Sequence, residues 1–237
     1  MMDGILNIYK EKGWTSFDVV AKLRRILKVK KIGHTGTLDP DAEGVLPVCV
    51  GRATKSVEAL MDHDKEYRAV LLFGKKTDTG DVTGNVLAEA DVPALTKDEI
   101  EHTLASFVPG YAQIPPMYSA LKVNGKRLYE YAREGIVIER EPRQVQIPSL
   151  VLEEMLLPRI TFSAVCGRGT YIRALCEDIG EKLSLPACME SLLRTRVGEF
   201  TISSAMKITE IEAAVKNGTL ESCFSQVNPD SDMKKRR

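Results

Sequence analysis

Segments with strand-like and helix-like periodicity follow one another without a regular strand–helix–strand alternation, and this order constrains the fold more than any other feature. Strands are predicted at 45–50, 67–73, 86–90, 143–152, 159–166 and 197–202, the first of them interrupted by Pro47. Helices are predicted at 15–28, 53–61, 96–106, 126–133, 171–183 and 208–216. This mixture predicts an α+β protein with a mixed sheet rather than a doubly wound parallel sheet.

The first predicted helix has an apolar face and a basic face, and Thr15 can cap its start. Its basic face comprises Lys22, Arg24, Arg25 and Lys28, which are expected to form one outward stripe. The whole chain carries 33 Lys and Arg against 33 Asp and Glu, so its net charge does not indicate a polyanionic partner. Basic residues are nevertheless concentrated at 10–31. This segregation indicates a nucleic acid partner, and a solvated helix surface is the alternative interpretation.

Several classes of chemistry find no support in the sequence. Gly167-Arg-Gly169 lacks the third glycine of a dinucleotide-binding loop, and Gly74-Lys-Lys-Thr77 lacks the first glycine of a P-loop. The three histidines and five cysteines show no spacing typical of metal ligands. No apolar run approaches the roughly 18 residues that cross a bilayer, and no signal peptide is recognisable. We therefore expect a cytoplasmic protein without a metal, a cofactor or a membrane partner.

Residues 33–47, GHTGTLDPDAEGVLP, form a loop with neither helical nor strand periodicity. Its glycines allow the backbone to approach another molecule closely. Asp39 precedes Pro40, which can open a helical turn, so a helix N-cap is the structural interpretation of Asp39. On local pattern alone, Arg168, Arg173 and Arg194 are expected to be surface charges.

The extended segment GHTGTLDPDAEGVLPVCVGRATK resembles the catalytic motif of the TruB-type tRNA pseudouridine synthases. KEYRAVLLFGKKTDTGD, QIPPMYSALKVNGKRLYEYAREG and CGRGTYIRALCEDIGEKL resemble the family's other signature segments, in the family's order. So do YKEKGWTSFDVVAKLRRIL and LLRTRVGEF, and the resemblance covers nearly all of residues 5–200. It implies the pseudouridine synthase fold, with a largely antiparallel central sheet flanked by helices and loops.

The resemblance also implies a function: isomerisation of uridine 55 in the tRNA T-loop to pseudouridine, by base flipping and attack of an Asp nucleophile. This chemistry needs no cofactor or metal. The expected partner is the T-arm stem-loop of tRNA, and the protein is expected to act as a monomer. Bacterial members usually continue into a C-terminal PUA domain, which we do not expect here because few residues follow the helix at 208–216.

By the same resemblance, three residues have catalytic roles. Asp39 is the nucleophile, attacking either the ribose or the base. Arg173 pairs with Asp39 and holds it ionised and oriented. Tyr67 stacks on the target base and acts in the deprotonation step.

The resemblance assigns further residues to substrate binding. Tyr171 lines the pocket, Leu192 packs against the base, and His34 fills the space that the flipped uridine vacates. Asp81 matches a motif carboxylate whose role stays open. The candidate phosphate contacts are Lys10, Lys12, Lys22, Arg24, Arg25, Lys28, Arg127 and Arg133.

We predict one catalytic domain at 1–216, followed by a polar, disordered tail at 217–237. Two alternative functions stay open at this point. One is an RNA-binding protein that remodels tRNA without chemistry. The other is a hydrolase of nucleosides or glycans that uses Asp39 with Asp41 or Glu43. Pseudouridine, unchanged RNA and free base are the three products that distinguish these functions.

Overall fold

The structure is a computed structural model in which residues 3–225 are described. The α-helices of this part of the chain are α1 (Ser16–Leu27), α2 (Val57–Met61), α3 (Lys97–Ala105), α4 (Leu128–Arg133), α5 (Ile172–Lys182) and α6 (Ile208–Asn217). Its strands are β1 (Gly4–Lys10), β2 (Ile32–His34), β3 (Glu43–Val50), β4 (Lys65–Phe73), β5 (Lys75–Thr77), β6 (Val86–Glu89), β7 (Gly110–Gln113), β8 (Lys122–Val123), β9 (Lys126–Arg127), β10 (Arg143–Gln146), β11 (Ser149–Leu156), β12 (Arg159–Cys166), β13 (Ala187–Val197), β14 (Phe200–Thr201) and β15 (Phe224–Ser225). Short 3₁₀ turns cover Gly51–Ser56, Ile202–Ser204 and Leu220–Cys223.

The chain forms two compact units. The first unit comprises Met1–Tyr67 and Leu193–Arg237, and the second comprises Arg68–Leu192. The chain therefore leaves the first unit within β4 and returns to it within β13. The sequence predicted a single domain over 1–216. It does not mark this division, because domain boundaries are recognised by polar linkers and both of these fall inside strands.

In the first unit, β3 pairs with three other strands. It pairs antiparallel with β1 along all seven residues of that strand, from Gly4 opposite Val50 to Lys10 opposite Gly44. Its last residues pair antiparallel with β2, and its first residues pair in parallel with β13. Strand β15 adds to the far side of β1, and β14 forms a hairpin with β13.

Both faces of the β1–β3 pair are covered, which explains the continuous apolar sequence of β3. Leu6, Ile8, Leu46 and Val48 lie in a core cluster with residues of α1 and α6. Ile5, Val45 and Cys49 face the opposite way and pack with Leu60, Val197 and Phe200. This two-sided burial holds the ends of β2 and β3, and the loop that joins them carries Asp39.

In the second unit, the strand order is β11, β12, β4, β13. The β11–β12 pair is antiparallel, with a register shift between Leu152 and Glu154. Three further antiparallel pairs, β7–β10, β5–β6 and β8–β9, complete the strands of this unit. The predicted α+β class with a mixed, largely antiparallel sheet is confirmed.

Local signals in the sequence located several elements correctly. Thr15 caps α1 and Thr96 caps α3, each in a capping box with the acidic residue three positions later. Strand β12 spans 159–166, as its apolar pattern predicted. Strand β3, however, runs through Pro47 without the predicted interruption. The carbonyl of Asn7, which lies opposite Pro47, accepts from Met206 N–H at 2.8 Å, so the missing Pro47 N–H removes no bond to β1.

Two predictions at the C-terminal end need correction. Strand β13 begins at Ala187, whereas the sequence predicted a strand only from 197. Polar residues such as Glu190 and Arg194 break the apolar pattern there, although Arg194 is buried. The predicted disordered tail begins too early, because Leu220–Cys223 form a 3₁₀ turn and Phe224–Ser225 pair with β1. The rest of that tail lies outside the described residues.

Candidate active site

The loop at 35–42, which we call the Asp39 loop, joins β2 to β3 in the first unit. Asp39 is half-buried, and its carbonyl accepts from Ala42 N–H at 3.1 Å across a turn at Pro40 and Asp41. No helix begins there within the described chain, so the N-cap interpretation of Asp39 is wrong. The proline opens a β-turn that leads directly into β3.

Buried Lys10 holds the turn that follows Asp39. Its Nζ donates to the carbonyls of Glu11 at 3.2 Å, Trp14 at 2.6 Å and Pro40 at 3.2 Å. The Pro40 carbonyl also accepts from Gly13 N–H at 2.8 Å. Burial lowers the pKa of Lys10 to about 8, against the attraction of Asp39 and Asp41, which acts in the opposite direction.

The predicted role of Lys10 as a phosphate contact is wrong. The side chain is 0% exposed and its three N–H donors are directed at protein carbonyls. A lysine on a strand beside a Gly-rich loop gives the same local pattern whether it points inward or outward. Only the packing of β1 against β3 decides that it points inward.

Ser16 and Arg194 hold the other side of the Asp39 loop. Ser16 Oγ accepts from Leu38 N–H at 2.9 Å and donates to the Leu38 carbonyl at 3.2 Å. Arg194 donates from Nε to Val45 O at 2.7 Å, from Nη1 to Thr37 O at 3.4 Å and from Nη2 to Gly36 O at 3.3 Å. The backbone is thus bonded on both sides of Asp39.

Arg194 is 1% exposed and Arg173 is 6% exposed, so the expectation that both are surface charges is wrong. Arg168 is exposed, as expected. Sequence reasoning missed the role of Arg194, although one signal was available. Leu192 is predicted to pack against the base, and Arg194 follows it by two residues in β13. Because alternate residues of a strand share a face, Arg194 lies on the same face as Leu192. Gly44 contributes to this packing: with φ +110°, it brings β3 so close that an added Cβ would lie 2.2 Å from Arg194 O.

Three other residues that the sequence assigned to the site lie in strands β2, β4 and β13. His34 is the last residue of β2. Its pKa is lowered chiefly by burial and secondarily by the charge of Arg194, which favours the neutral ring. Tyr67 is half-buried in β4. Leu192 is 8% exposed in β13.

Within the second unit, Arg173 and Asp81 lie together. Arg173 Nη1 donates to Thr79 O and Nη2 donates to Tyr118 O, each at 2.8 Å. Its Nε lies 3.9 Å from Asp81 Oδ2. These contacts fix the plane of the guanidinium, since its fork of donors is rigid.

Asp81 is held in turn by its own loop. Its Oδ1 accepts from Thr79 Oγ1 at 2.9 Å, Thr83 N–H at 3.0 Å and Thr83 Oγ1 at 2.6 Å. The neighbouring Gly80 has φ +74°, and an added Cβ would lie 3.4 Å from Arg173 Cβ. Asp81, whose role the sequence left open, therefore presents its second oxygen to Arg173. The pairing of Arg173 with Asp39 stays a prediction.

The basic stripe on α1 is only partly available for RNA. Arg25 and Lys28 are exposed, as is Lys12 before the helix. Lys22 pairs with Glu212 of α6 at 2.5 Å, and Arg24 donates to Ile32 O at 3.1 Å. Lys22, whose side chain is still 39% exposed, and Arg24 thus also hold α1 against its neighbours, so these two are less available to RNA than Arg25 and Lys28.

In the second unit, Arg127 and Arg133 are exposed and flank one aromatic ring. Their guanidinium carbons lie 5.7 Å and 5.2 Å from the centroid of Tyr129. Arg127 also donates to the Tyr129 hydroxyl at 2.8 Å. Surfaces that combine basic and aromatic side chains in this way are typical of proteins that bind single-stranded RNA.

Between residues 3 and 225, no group of three or more His, Cys, Asp and Glu side chains is arranged to hold a metal ion. None of the helices in this range is both long and apolar enough to span a membrane.

Comparisons with known families cover almost the whole chain. Residues 24–172 match the TruB family pseudouridylate synthase (N terminal domain). Residues 173–228 match the tRNA pseudouridylate synthase B C-terminal domain.

Curated relatives are similar over most of the chain. The tRNA pseudouridine synthase B of Lachnoclostridium phytofermentans is 55% identical over 235 residues, which is 96% of this chain and 76% of the relative. That of Clostridium perfringens strain 13 is 52% identical over 213 residues, which is 89% of this chain and 72% of the relative.

Two solved structures are also similar. A chain of a Cbf5-Nop10-Gar1 complex is 29% identical, with a TM-score of 0.74 over 94% of this chain and 59% of that chain. A chain of an H/ACA RNP bound to a substrate RNA containing 2′-deoxyuridine is 28% identical, with a TM-score of 0.69 over 93% of this chain and 57% of that chain. Our chain thus spans less than two thirds of the length of those solved chains.

Proposed function

The chain belongs to the TruB family of pseudouridylate synthases, and we propose that it isomerises uridine 55 in the T-loop of tRNA to pseudouridine. Two curated relatives that are more than half identical to it are named tRNA pseudouridine synthase B. The segments of its sequence that resemble the family's signatures include those that carry Asp39, Tyr67 and Arg173.

The observation that carries this proposal is the restraint of the backbone around Asp39. Leu38 makes two hydrogen bonds with Ser16, and the Pro40 carbonyl accepts from Lys10 and Gly13. Buried backbone groups of any loop require partners, but here these bonds fall on both sides of one carboxylate. Such restraint suits a nucleophile, because attack requires a fixed approach to the reacting carbon.

The proposed reaction breaks the glycosidic bond between C1′ of the ribose and N1 of the uracil. The uracil turns in place, and C1′ then bonds to C5. The C5 proton is lost to a base and N1 regains a proton, so that atoms and electrons balance within the nucleotide. Asp39 is the proposed nucleophile, either at C1′ or at the uracil ring.

The other predicted residues receive roles consistent with their surroundings. Tyr67 stacks on the flipped base and takes part in removing the C5 proton. Arg173, whose guanidinium Thr79 O and Tyr118 O orient, is the proposed cationic partner of Asp39. Asp81 orients Arg173 from 3.9 Å. His34, in its neutral form, fills the gap in the T-loop, while Tyr171 and Leu192 line the base pocket.

The proposal requires neither a metal nor a cofactor, because the isomerisation involves no net redox change, hydrolysis or phosphate transfer. We further propose that the protein acts as a monomer in the cytoplasm, where its tRNA substrate is found. Exposed Lys12, Arg25, Lys28, Arg127 and Arg133 are the proposed phosphate contacts.

The direct test is incubation of an unmodified tRNA transcript with the protein, followed by chemical mapping of pseudouridine at single-nucleotide resolution. We expect one modified position, uridine 55. A transcript in which that uridine is replaced by cytidine is the matched control and should show no signal in the T-loop.

Other products would assign a different function. Unchanged RNA that nevertheless binds the protein would indicate an RNA-binding module without chemistry. Release of free uracil would indicate a hydrolase. Pseudouridine at another position would support the isomerase and overturn the choice of uridine 55.

A further inference from the structure

The first turn of α5 lacks the usual support for the start of a helix. Tyr171 occupies its N-cap position, and among the described residues the Tyr171 side chain makes no capping hydrogen bond. The first turn also contains no acidic residue that would favour the helix dipole. Under the proposed function, Tyr171 and Arg173 both belong to the site. The start of α5 must therefore be placed accurately by something else.

That support comes from Gln113, the last residue of β7. The Gln113 side chain is 1% exposed, its Oε1 accepts from Tyr171 N–H at 2.9 Å, and its Nε2 donates to the Tyr171 carbonyl at 3.1 Å. The amide thus bonds both backbone groups of Tyr171, as a neighbouring strand would. Because a backbone N–H can only donate, this pair of bonds also fixes which side of the amide is oxygen.

The remaining Gln113 donor links to the middle of the same helix. Gln113 Nε2 donates to Tyr111 Oη at 2.7 Å, and the Tyr111 phenol donates to the carboxylate of Asp178. Burial, together with the charge of Asp178, raises the pKa of Tyr111, so the phenol keeps its proton and stays a donor. The ring of Tyr111 also packs edge-on against Phe107 at 4.9 Å. Both Gln113 Nε2 donors are therefore satisfied.

We infer that Gln113 is a positioning residue for the reaction, which places the start of α5 and thereby positions Tyr171. Tyr111 and Asp178 keep the Gln113 amide in the orientation that binds the Tyr171 backbone. This inference rests on the proposed function. Gln113 acts through Tyr171, since Arg173 has its own bonds to Thr79 and Tyr118.

The principal variant is Gln113→Met, which keeps the length of the side chain and removes its three hydrogen bonds. Its matched control is Gln144→Met, the same change at an exposed position on β10 opposite Ala112. In single-turnover assays at saturating tRNA, we expect Gln113→Met to lower the rate about ten- to a hundredfold. We expect the tRNA affinity to change less than about threefold, and Gln144→Met to match the wild type.

A second variant, Tyr111→Phe, tests how much of the rate loss comes from the bond between Gln113 and Tyr111. Tyr111→Phe removes only the outer link, so Gln113 retains both bonds to Tyr171. We expect a smaller fall in the single-turnover rate, about two- to fivefold. If Gln113→Met fails to fold, Tyr111→Phe tests the inference instead. A two- to fivefold fall in its single-turnover rate supports the inference, and an unchanged rate overturns it.

Amide hydrogen exchange supplies a readout that does not depend on activity. In Gln113→Met, we expect the peptide covering 169–176 to exchange at least about tenfold faster, while the peptide covering 177–183 is unchanged. Unchanged exchange, or an equal rise in both peptides with a normal rate for the folded protein, would overturn the inference. If the wild-type protein makes no pseudouridine, the proposed function fails, and exchange still shows whether Gln113 holds the helix start.

Discussion

The two units use buried cations in opposite ways. In the first unit, Lys10 and Arg194 donate to backbone carbonyls around the Asp39 loop. In the second unit, the buried cation is Arg173, the predicted functional group itself, and the carbonyls of Thr79 and Tyr118 accept from it. Cations thus restrain the backbone in one unit, whereas the backbone orients a cation in the other.

The difference follows from what each segment leaves unsatisfied. An irregular loop has carbonyls without a ladder partner, and buried carbonyls require donors. A helix bonds its own backbone except in its first and last turns, so α5 relies on other groups only at its ends and at the side chain that acts. Loss of a cation should therefore first affect stability in the first unit, and first affect rate in the second.

The largest expected effect tests whether the Asp39 side chain serves chemistry alone. Asp39→Asn keeps the shape of the side chain but replaces a carboxylate with a far poorer nucleophile. We expect single-turnover pseudouridine formation to slow at least a thousandfold, about 4 kcal/mol of barrier, while tRNA affinity and Tm change little. Near-normal turnover would remove Asp39 from the mechanism.

The next effect tests the contrast between the two arginines. Arg194→Met leaves the carbonyls of Gly36, Thr37 and Val45 without this donor, and we expect the free energy of unfolding in urea to fall by about 3 kcal/mol. Arg173→Lys keeps the charge but removes the planar fork of donors, and we expect the rate to fall about a hundredfold while the free energy of unfolding falls by less than about 2 kcal/mol. If stability and rate fall in the same proportion in both variants, the contrast is wrong.

A smaller effect concerns the charge of Lys10. Burial lowers the pKa of Lys10 to about 8 from an ordinary value of 10.5. Between these values the unfolded chain holds more protons on this residue than the folded chain, so the free energy of unfolding rises with pH in this window.

The measurement compares wild type with Lys10→Met in urea at pH 7.5 and pH 10, which cancels the titration of other groups. The wild type should become more stable by about 2 kcal/mol relative to the variant as pH rises. A difference that is independent of pH would mean that burial does not disfavour the charged form of Lys10.

The smallest effect distinguishes exposed cations from paired ones. Replacing Arg25 and Lys28 together with Ala should flatten the slope of log tRNA affinity against log salt by about 0.7 to 0.9 for each phosphate that these two side chains neutralise. Lys22→Ala is the matched control on the same helix, and it should alter the slope less because Lys22 pairs with Glu212. Equal changes would show that the Glu212 pair opens when RNA binds.

The sequence by itself determined the features that depend on neighbouring residues. Thr15 and Thr96 cap helices with partners three residues away, and the apolar pattern at 159–166 matches β12 residue for residue. The order of the signature segments along the chain also indicated the family. Assignment of Asp39, Tyr67 and Arg173 to the mechanism comes from those segments and stays a prediction.

The tertiary structure decided the features that depend on distant residues. Lys10 bonds Pro40 across 30 positions, Gln113 bonds Tyr171 across 58, and Arg194 bonds Thr37 across 157. A local pattern cannot show whether such a cation or amide points inward, because the carbonyls that accept from it come from other elements. Burial of Lys10 and Arg194 is favourable only once those carbonyls are in place, and only the assembled fold brings them there.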